Sequence, residues 1–314
     1  MSRWLTVTSG MNDESARTPR GLFVGLSTID LAYVVADMPG RNSKITSTAQ
    51  ALAAGGPATN AAVTFAFLGG ASSLITAIGK HPLAAVIQND LARFQIQVHD
   101  LAAQSETAPA ISSILVLSGG ERTIVSANAN VFRALDAPAD PSWFDGASIV
   151  LVDGHHMSVC TKVAAMARSR SLDVVLDAGS WKEGMSTLLQ NVTIALCSND
   201  FIPPGCSNES DVIAFLREQG IERGAITQGA KLVLYFDGNR MGKVPVEPTS
   251  AKDTTGAGDV FHGAFCYYFS QPETTFVEAL KSAANVATFS TRFVGTRSWM
   301  EAYAKQGASP DRPR

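Results

Sequence analysis

The sequence predicts an α/β fold, a doubly wound and mostly parallel sheet flanked by helices, with a small β-sheet forming a lid. Three observations carry this. Strand-like apolar runs at 149–153, 174–177 and 194–197 alternate with helical stretches at 158–169 and 210–219, and such alternation places parallel strands in one sheet with helices over it. The turn Asp253-Thr254-Thr255-Gly256-Ala257-Gly258-Asp259 runs straight into an apolar segment, 260–269. There Val260, Ala264, Tyr267 and Tyr268 fall at helical spacing while Phe261, Phe265 and Phe269 fill the opposite side, so this helix is predicted to be buried all round. Finally, short runs punctuated by Pro39-Gly40 and Gly119-Gly120 read as small antiparallel strands outside the main sheet.

Taken in order, residues 1–20 are rich in Ser, Thr, Arg and Asn and read as a disordered extension, as does the tail 306–314, leaving one α/β domain at 21–305. The run 21–26 is a central strand ending in Ser27-Thr28-Ile29-Asp30, and the C-terminal ends of strands are where an open α/β sheet binds ligands. By position alone, Asp30 either caps a turn or grips substrate hydroxyls. Segments 31–36, 43–48 and 51–54, with 111–117 and 121–126, are predicted to build the lid from about 31–54 and 111–126. Gly55-Gly56-Pro57-Ala58-Thr59-Asn60 opens a helix over 61–68 that Gly69-Gly70 closes, since proline suits a first helical turn and glycine a last.

Segment 72–79 reads as the next strand and 82–94 as the next helix. Asp153-Gly154-His155-His156 and Asp177 sit at strand ends facing the expected cleft. The adjacent histidines read as a loop contact, because sequence neighbours seldom coordinate one metal ion. Ala225-Ile226-Thr227-Gln228-Gly229 ends another strand, 232–236 and 242–246 form a hairpin at the sheet edge, and 274–293 is a long helix.

Composition excludes several classes. With 314 residues and 46% hydrophobic content the chain buries a large core, and a net charge of −3 offers no basic field for nucleic acid. A small-molecule partner follows. The four cysteines, Cys160, Cys197, Cys206 and Cys266, form no Cys-x-x-Cys pair and suit a reducing cytoplasm. No run is long and apolar enough for a membrane span, and the first residues lack a signal-peptide apolar core.

The chemistry concentrates at 253–259. Gly256, Ala257 and Gly258 let a ligand approach the backbone, and the unpaired N–H groups and positive dipole end of the following helix converge on one point suited to a phosphate in transfer. Asp259, in the first turn, is placed either to cap the helix or to take the proton of an attacking hydroxyl.

Asp-Thr-Thr-Gly-Ala-Gly-Asp followed by Val-Phe-His-Gly-Ala-Phe resembles the nucleotide-proximal signature of the ribokinase-like (PfkB) carbohydrate kinases, and the resemblance spans roughly 21–300. It implies that Asp259 is the catalytic base, that the amides of Gly256, Ala257 and Gly258 form the anion hole, and that Asp253 and Thr255 help hold a monovalent cation such as K⁺. It further implies a sugar grip by Asp30, Gly55, Gly56 and Asn60, and nucleotide contacts from Thr227 and Gly229. Where the family usually shows Asn-x-x-Glu for Mg²⁺ and phosphate, this chain reads Ser198-Asn199-Asp200-Phe201, leaving Asn199 or Asp200 to substitute; the family's acidic turn is likewise replaced by Gly79-Lys80-His81-Pro82-Leu83-Ala84.

The implied activity is ATP- and Mg²⁺-dependent phosphorylation of a sugar hydroxyl by a cytoplasmic enzyme, a homodimer through the lid. Alternatives are a nucleoside kinase of the same fold, or a sugar-binding protein with impaired catalysis. Lys44, expected on the lid's second strand beside Arg41, would favour a substrate carrying an anionic group, or else serve only as a solvated lid residue.

Overall fold

The computed structural model describes residues 18–307, apart from 118, 133 and 134. The segments expected to be disordered, 1–20 and 306–314, lie mostly outside these residues; within them Arg20 already opens the first strand and 306–307 end the last helix, which corrects the expectation at those positions. The main sheet has nine strands. They are β1 (Arg20–Val24), β4 (Ala71–Thr76), β5 (Gln97–Asp100), β8 (Ile149–Val152), β9 (Asp173–Ala178), β10 (Ile194–Ser198), β11 (Arg223–Thr227), β12 (Leu232–Asp237) and β13 (Arg240–Pro245), in the spatial order β13-β12-β11-β10-β9-β8-β1-β4-β5. From β11 to β5 every pairing is parallel, and the hairpin β12–β13 closes one edge antiparallel. Strands buried on both faces carry unbroken apolar runs, as in Ile-Val-Leu-Val of β8.

Helices cover both faces. On one lie α1 (Pro57–Phe67), α2 (Ala84–Arg93), α6 (Ala257–Phe269), α7 (Phe276–Ser290) and α8 (Trp299–Gly307); on the other lie α3 (Met157–Ser169), α4 (Met185–Leu189) and α5 (Glu209–Glu218). The strand order reverses between β1 and β8, which opens a crevice at the carboxyl ends of those two strands. Gly25 follows β1 there, and a β-carbon on it would lie 2.1 Å from the Asp153 carboxylate that follows β8.

The lid is a separate four-stranded sheet, β3-β2-β6-β7, made of β2 (Thr28–Val35), β3 (Ala49–Gly55), β6 (Ala110–Leu117) and β7 (Arg122–Ser126). Two expectations about it need correcting. The pairing of β2 with β6 is parallel, between two antiparallel hairpins. Segment 43–48 is irregular, so Lys44 is not on a strand; it lies exposed in the loop joining β2 to β3. The physical reason is local. Asn42 sits at φ 53° and the Ser43 hydroxyl donates to Gly40 O at 2.8 Å, a turn that competes with strand pairing until Thr48 N–H bonds Val34 O. Asp30 likewise falls within a lid strand, β2, instead of at the end of β1.

The predicted buried helix is α6. It is enclosed from Val260 to Cys266, while Tyr267, Tyr268 and Phe269 are only half-buried. Its crossing with α1 is close because Gly263 has no side chain: a β-carbon there would lie 2.3 Å from Ala61 O. That contact brings Asn60 of α1 to the first turn of α6.

Candidate active site

Gly256 caps α6 in the left-handed conformation, φ 70°, and a β-carbon on it would approach Thr296 Cγ2 to 2.7 Å, so only glycine fits this entry. Val260 N–H starts the helical ladder on Gly256 O at 2.8 Å, and Ala257 N–H makes a long 3.3 Å bond to Thr254 O. The amides of Gly258 and Asp259 stand at the helix end between them. Gly258 is exposed, with no atom within 4 Å of a β-carbon built on it, so the helix terminus faces open space wide enough for a ligand.

Asp259 is half-buried beside that terminus, and its Oδ2 accepts a hydrogen bond from Asn60 Nδ2 at 2.8 Å. Burial pushes its carboxyl up to about 7, with the nearby charges of Asp177 and Asp30 adding to the effect and Asn60 and His262 opposing it. Beneath it, His262 Nδ1 of α6 lies 2.9 Å from Asp177 Oδ2 at the end of β9, both side chains buried. Burial alone would disfavour the imidazolium, but Asp177 outweighs it, with help from Asp259, and holds His262 above its ordinary value.

Across the cleft, Asp30 receives the Thr28 hydroxyl at 2.7 Å. Burial raises its carboxyl, against hydrogen bonds from Thr28 and Ser112 and the charge of Arg297. Gly55 makes room for this group, since a β-carbon there would fall 2.0 Å from Asp30 Cγ, and Gly56, at φ 99°, would strike Leu26 O at 2.1 Å. Asp153 does not reach the cleft. Its carboxylate accepts Leu26 N–H (2.8 Å), Ala58 N–H (3.2 Å) and His155 N–H (2.9 Å), clamping β1's exit to the start of α1.

Asp253 is buried, and its two oxygens accept Thr255 N–H and Gly295 N–H, each at 2.8 Å. The Thr255 hydroxyl oxygen beside it is buried without a hydrogen-bond partner, an orphaned oxygen that fits a monovalent cation held with Asp253. Thr227, at the end of β11, donates to Cys197 O at 3.3 Å, with Gly229 at φ 59° just beyond and the exposed Asn199 following the adjacent β10. These three lie along the sheet from Asp259 and share no hydrogen bond with it. Phe201, at the place of the family's glutamate, is buried against Trp181, ring centroids 5.8 Å apart, and supplies no ligand.

The structure thus joins Asp259 to Asn60, Asp30 to Gly55, and Asp253 to Thr255, and leaves Lys44 in its own exposed loop. Sequence reasoning missed His262, Arg297 and Asp90. Arg297 donates to Asp90 Oδ2 (3.1 Å), Asn60 Oδ1 (2.9 Å) and Ala54 O (2.8 Å). A lone arginine before a C-terminal helix carries no motif, and His262 read as one more buried position.

Comparison with known proteins identifies the family and the fold. The model of the pfkB family carbohydrate kinases matches residues 20–302. The chain is similar to a ribokinase of Mus musculus, 24% identical over 291 residues (88% of this chain, 90% of that one). It is also similar to a probable fructokinase-5 of Arabidopsis thaliana, 26% identical over 236 residues (68% and 72%). A crystal structure of a putative ribokinase from Agrobacterium tumefaciens superposes with a TM-score of 0.80 at 23% identity, covering 93% of this chain and 99% of that one. The helix-capped glycine turn, the Asn60–Asp259 pair and the match across nearly the whole domain make one conclusion: this chain belongs to the pfkB family of carbohydrate kinases, phosphotransferases with the ribokinase fold.

Proposed function

We propose that the protein is an ATP-dependent sugar kinase that transfers the γ-phosphoryl group to a hydroxyl of a sugar or related polyol. The observation that carries this reading is Asp259, a carboxylate at the N-terminus of α6 whose carboxyl is pushed to about 7, the range in which a general base works best at neutral pH. Asp30 and the free hydrogen of the Asn60 amide would hold sugar hydroxyls, with Gly55 and Gly56 as the floor. One hydroxyl would pass its proton to Asp259 while its oxygen bonds to the γ-phosphorus and the bond from that phosphorus to the bridging oxygen of ADP breaks. The amides at the start of α6 and its dipole would stabilise the charge on the transferring group. Thr227, Gly229 and Asn199 would line the nucleotide side. Mg²⁺ would neutralise phosphate charge, held largely by the phosphates and water. Asp253 and Thr255 would hold K⁺ and so brace the glycine turn.

Outward-facing lid residues support a homodimer through this sheet: Leu52, Leu31, Ser113 and Val125 form one row across it, and Leu52 and Val125 are 55% and 71% exposed. A second reading, sugar binding with impaired catalysis, draws on the apolar Phe201 where a glutamate is usual. The test is acceptor-dependent ADP release over a panel of aldoses, ketoses, their phosphates and nucleosides. Turnover with a sugar supports the kinase. Saturable sugar binding without ADP release selects the second reading, and preference for a nucleoside overturns the substrate class.

A further inference from the structure

Asn60 can act on Asp259 in two opposite ways. Its amide nitrogen donates to a carboxylate and favours the ionised form; turned over, its oxygen would face the carboxylate and favour the protonated form. The two ends of an amide have nearly the same shape, so packing alone does not choose between them. A neighbour with fixed polarity must.

That neighbour is Arg297. A guanidinium only donates, so whichever atom of Asn60 faces it has to be the acceptor oxygen. Arg297 Nη1 meets Asn60 Oδ1 at 2.9 Å, and Nδ2 therefore points to Asp259 Oδ2 at 2.8 Å. The arginine is itself held from three other sides. Its Nε reaches Asp90 Oδ2 at 3.1 Å, Nη2 reaches Ala54 O at 2.8 Å and Nη1 also lies 3.3 Å from Thr296 O. Asp90 Oδ2 in turn accepts Ala54 N–H at 3.1 Å. Its side chain is 13% exposed and that of Asp90 8%. A fork fixed at α2 and at the end of the lid strand β3 has no freedom to release Asn60.

We propose that Arg297 is a positioning residue that locks the Asn60 amide with its nitrogen toward Asp259, favouring the ionised base and leaving the second amide hydrogen for the substrate. This rests on Asp259 being the base. The other charged groups around Asp259 are Asp177 from β9, His262 from α6 and Asp30 from β2, and Arg297 lies within electrostatic reach of both Asp30 and Asp259. A loss of charge and a loss of amide orientation must therefore be separated.

The experiment is a titration of the full chain labelled with ¹³C at the aspartate carboxyls, with the Asp259 signal assigned by its absence in Asp259→Asn. It needs neither ATP nor acceptor, so failure of the kinase reading, seen as no turnover on any panel member, is distinguishable from failure of this inference. In Arg297→Met the Asp259 carboxyl is expected to titrate about one pH unit higher than in the wild type. Arg297→Lys keeps the charge, but its single ammonium is drawn to Asp90 and cannot also hold Asn60, so the same upward movement is expected. This second variant decides the matter if the methionine variant does not fold. Asp90→Asn leaves the bond from Nη1 to Asn60 in place, and should lower the melting temperature without moving Asp259. The inference is overturned if Asp259 titrates in Arg297→Lys as in the wild type, or if Asp90→Asn moves it as far as the arginine variants do.

Discussion

Replacing Asp259 by Asn separates what this carboxylate does for chemistry from what it costs the fold. Asparagine keeps the shape, and its oxygen can still accept from Asn60 Nδ2, but it takes no proton. Turnover is expected to fall by about 10²–10⁴ with nucleotide binding largely kept, as for loss of a general base. The stability effect has the opposite sign. Folding raises this carboxyl from the ordinary 3.8 to about 7, so the folded chain holds the proton more tightly than the unfolded one. The contribution is fully present below pH 3.8 and is lost as pH rises through about 7. At about 1.36 kcal/mol per pH unit, the difference between those values comes to about 4 kcal/mol, an upper figure because the group is half-buried and solvent screens part of the cost. The variant should therefore be more stable than the wild type at alkaline pH, by a melting-temperature rise on the order of 5 °C at pH 8, and little different at pH 4. Thermal unfolding of both proteins across that range, with steady-state rates alongside, is the assay. Wild-type kcat/KM should rise with pH through about 7 as the base ionises. Retention of more than about a tenth of the activity would remove Asp259 as the base, and equal stability at pH 8 would refute the cost assigned to burying it.

Three further outcomes follow from the packing and the cation site. Gly263→Ala puts a methyl carbon 2.3 Å from Ala61 O and should push α1 off α6, costing about 1–3 kcal/mol in denaturant unfolding and more than tenfold in kcat through the displaced Asn60, whereas Gly258→Ala, facing open space, should leave stability unchanged and raise KM for ATP. Turnover should require Mg²⁺ and run faster in K⁺ than in Na⁺, and equal rates in the two salts would remove the monovalent site at Asp253 and Thr255. If Lys44, exposed in its loop, reads an anionic group on the substrate, Lys44→Met should cost the anionic member of a ketose pair about 1.5–3 kcal/mol in kcat/KM and spare the neutral one; equal losses, or none, return it to the solvated surface.

The main sheet and the turn at 253–259 are legible in the amino-acid order, because both are written in local terms. Alternating apolar runs specify parallel strands and crossover helices, and glycines followed by an aspartate and an apolar run specify a buried helix that starts at the glycine turn. Short range is also why the lid was only partly legible: the turn at Asn42 and Ser43 breaks a run that propensity would extend, and the parallel pairing of β2 with β6 joins strands far apart in the chain. How the aspartates divide their work is set by packing across the fold. Asp153, Asp177 and Asp30 are each an acidic residue near the end of an apolar run, indistinguishable by pattern. Packing gives the first to three backbone amides, the second to a buried histidine and the third to the cleft. The same holds for Arg297, whose partners Asp90 and Asn60 lie 207 and 237 residues away. A hydrogen bond over that separation depends on how α1, α2 and the loop before α8 meet in space, and no local sequence period encodes that meeting.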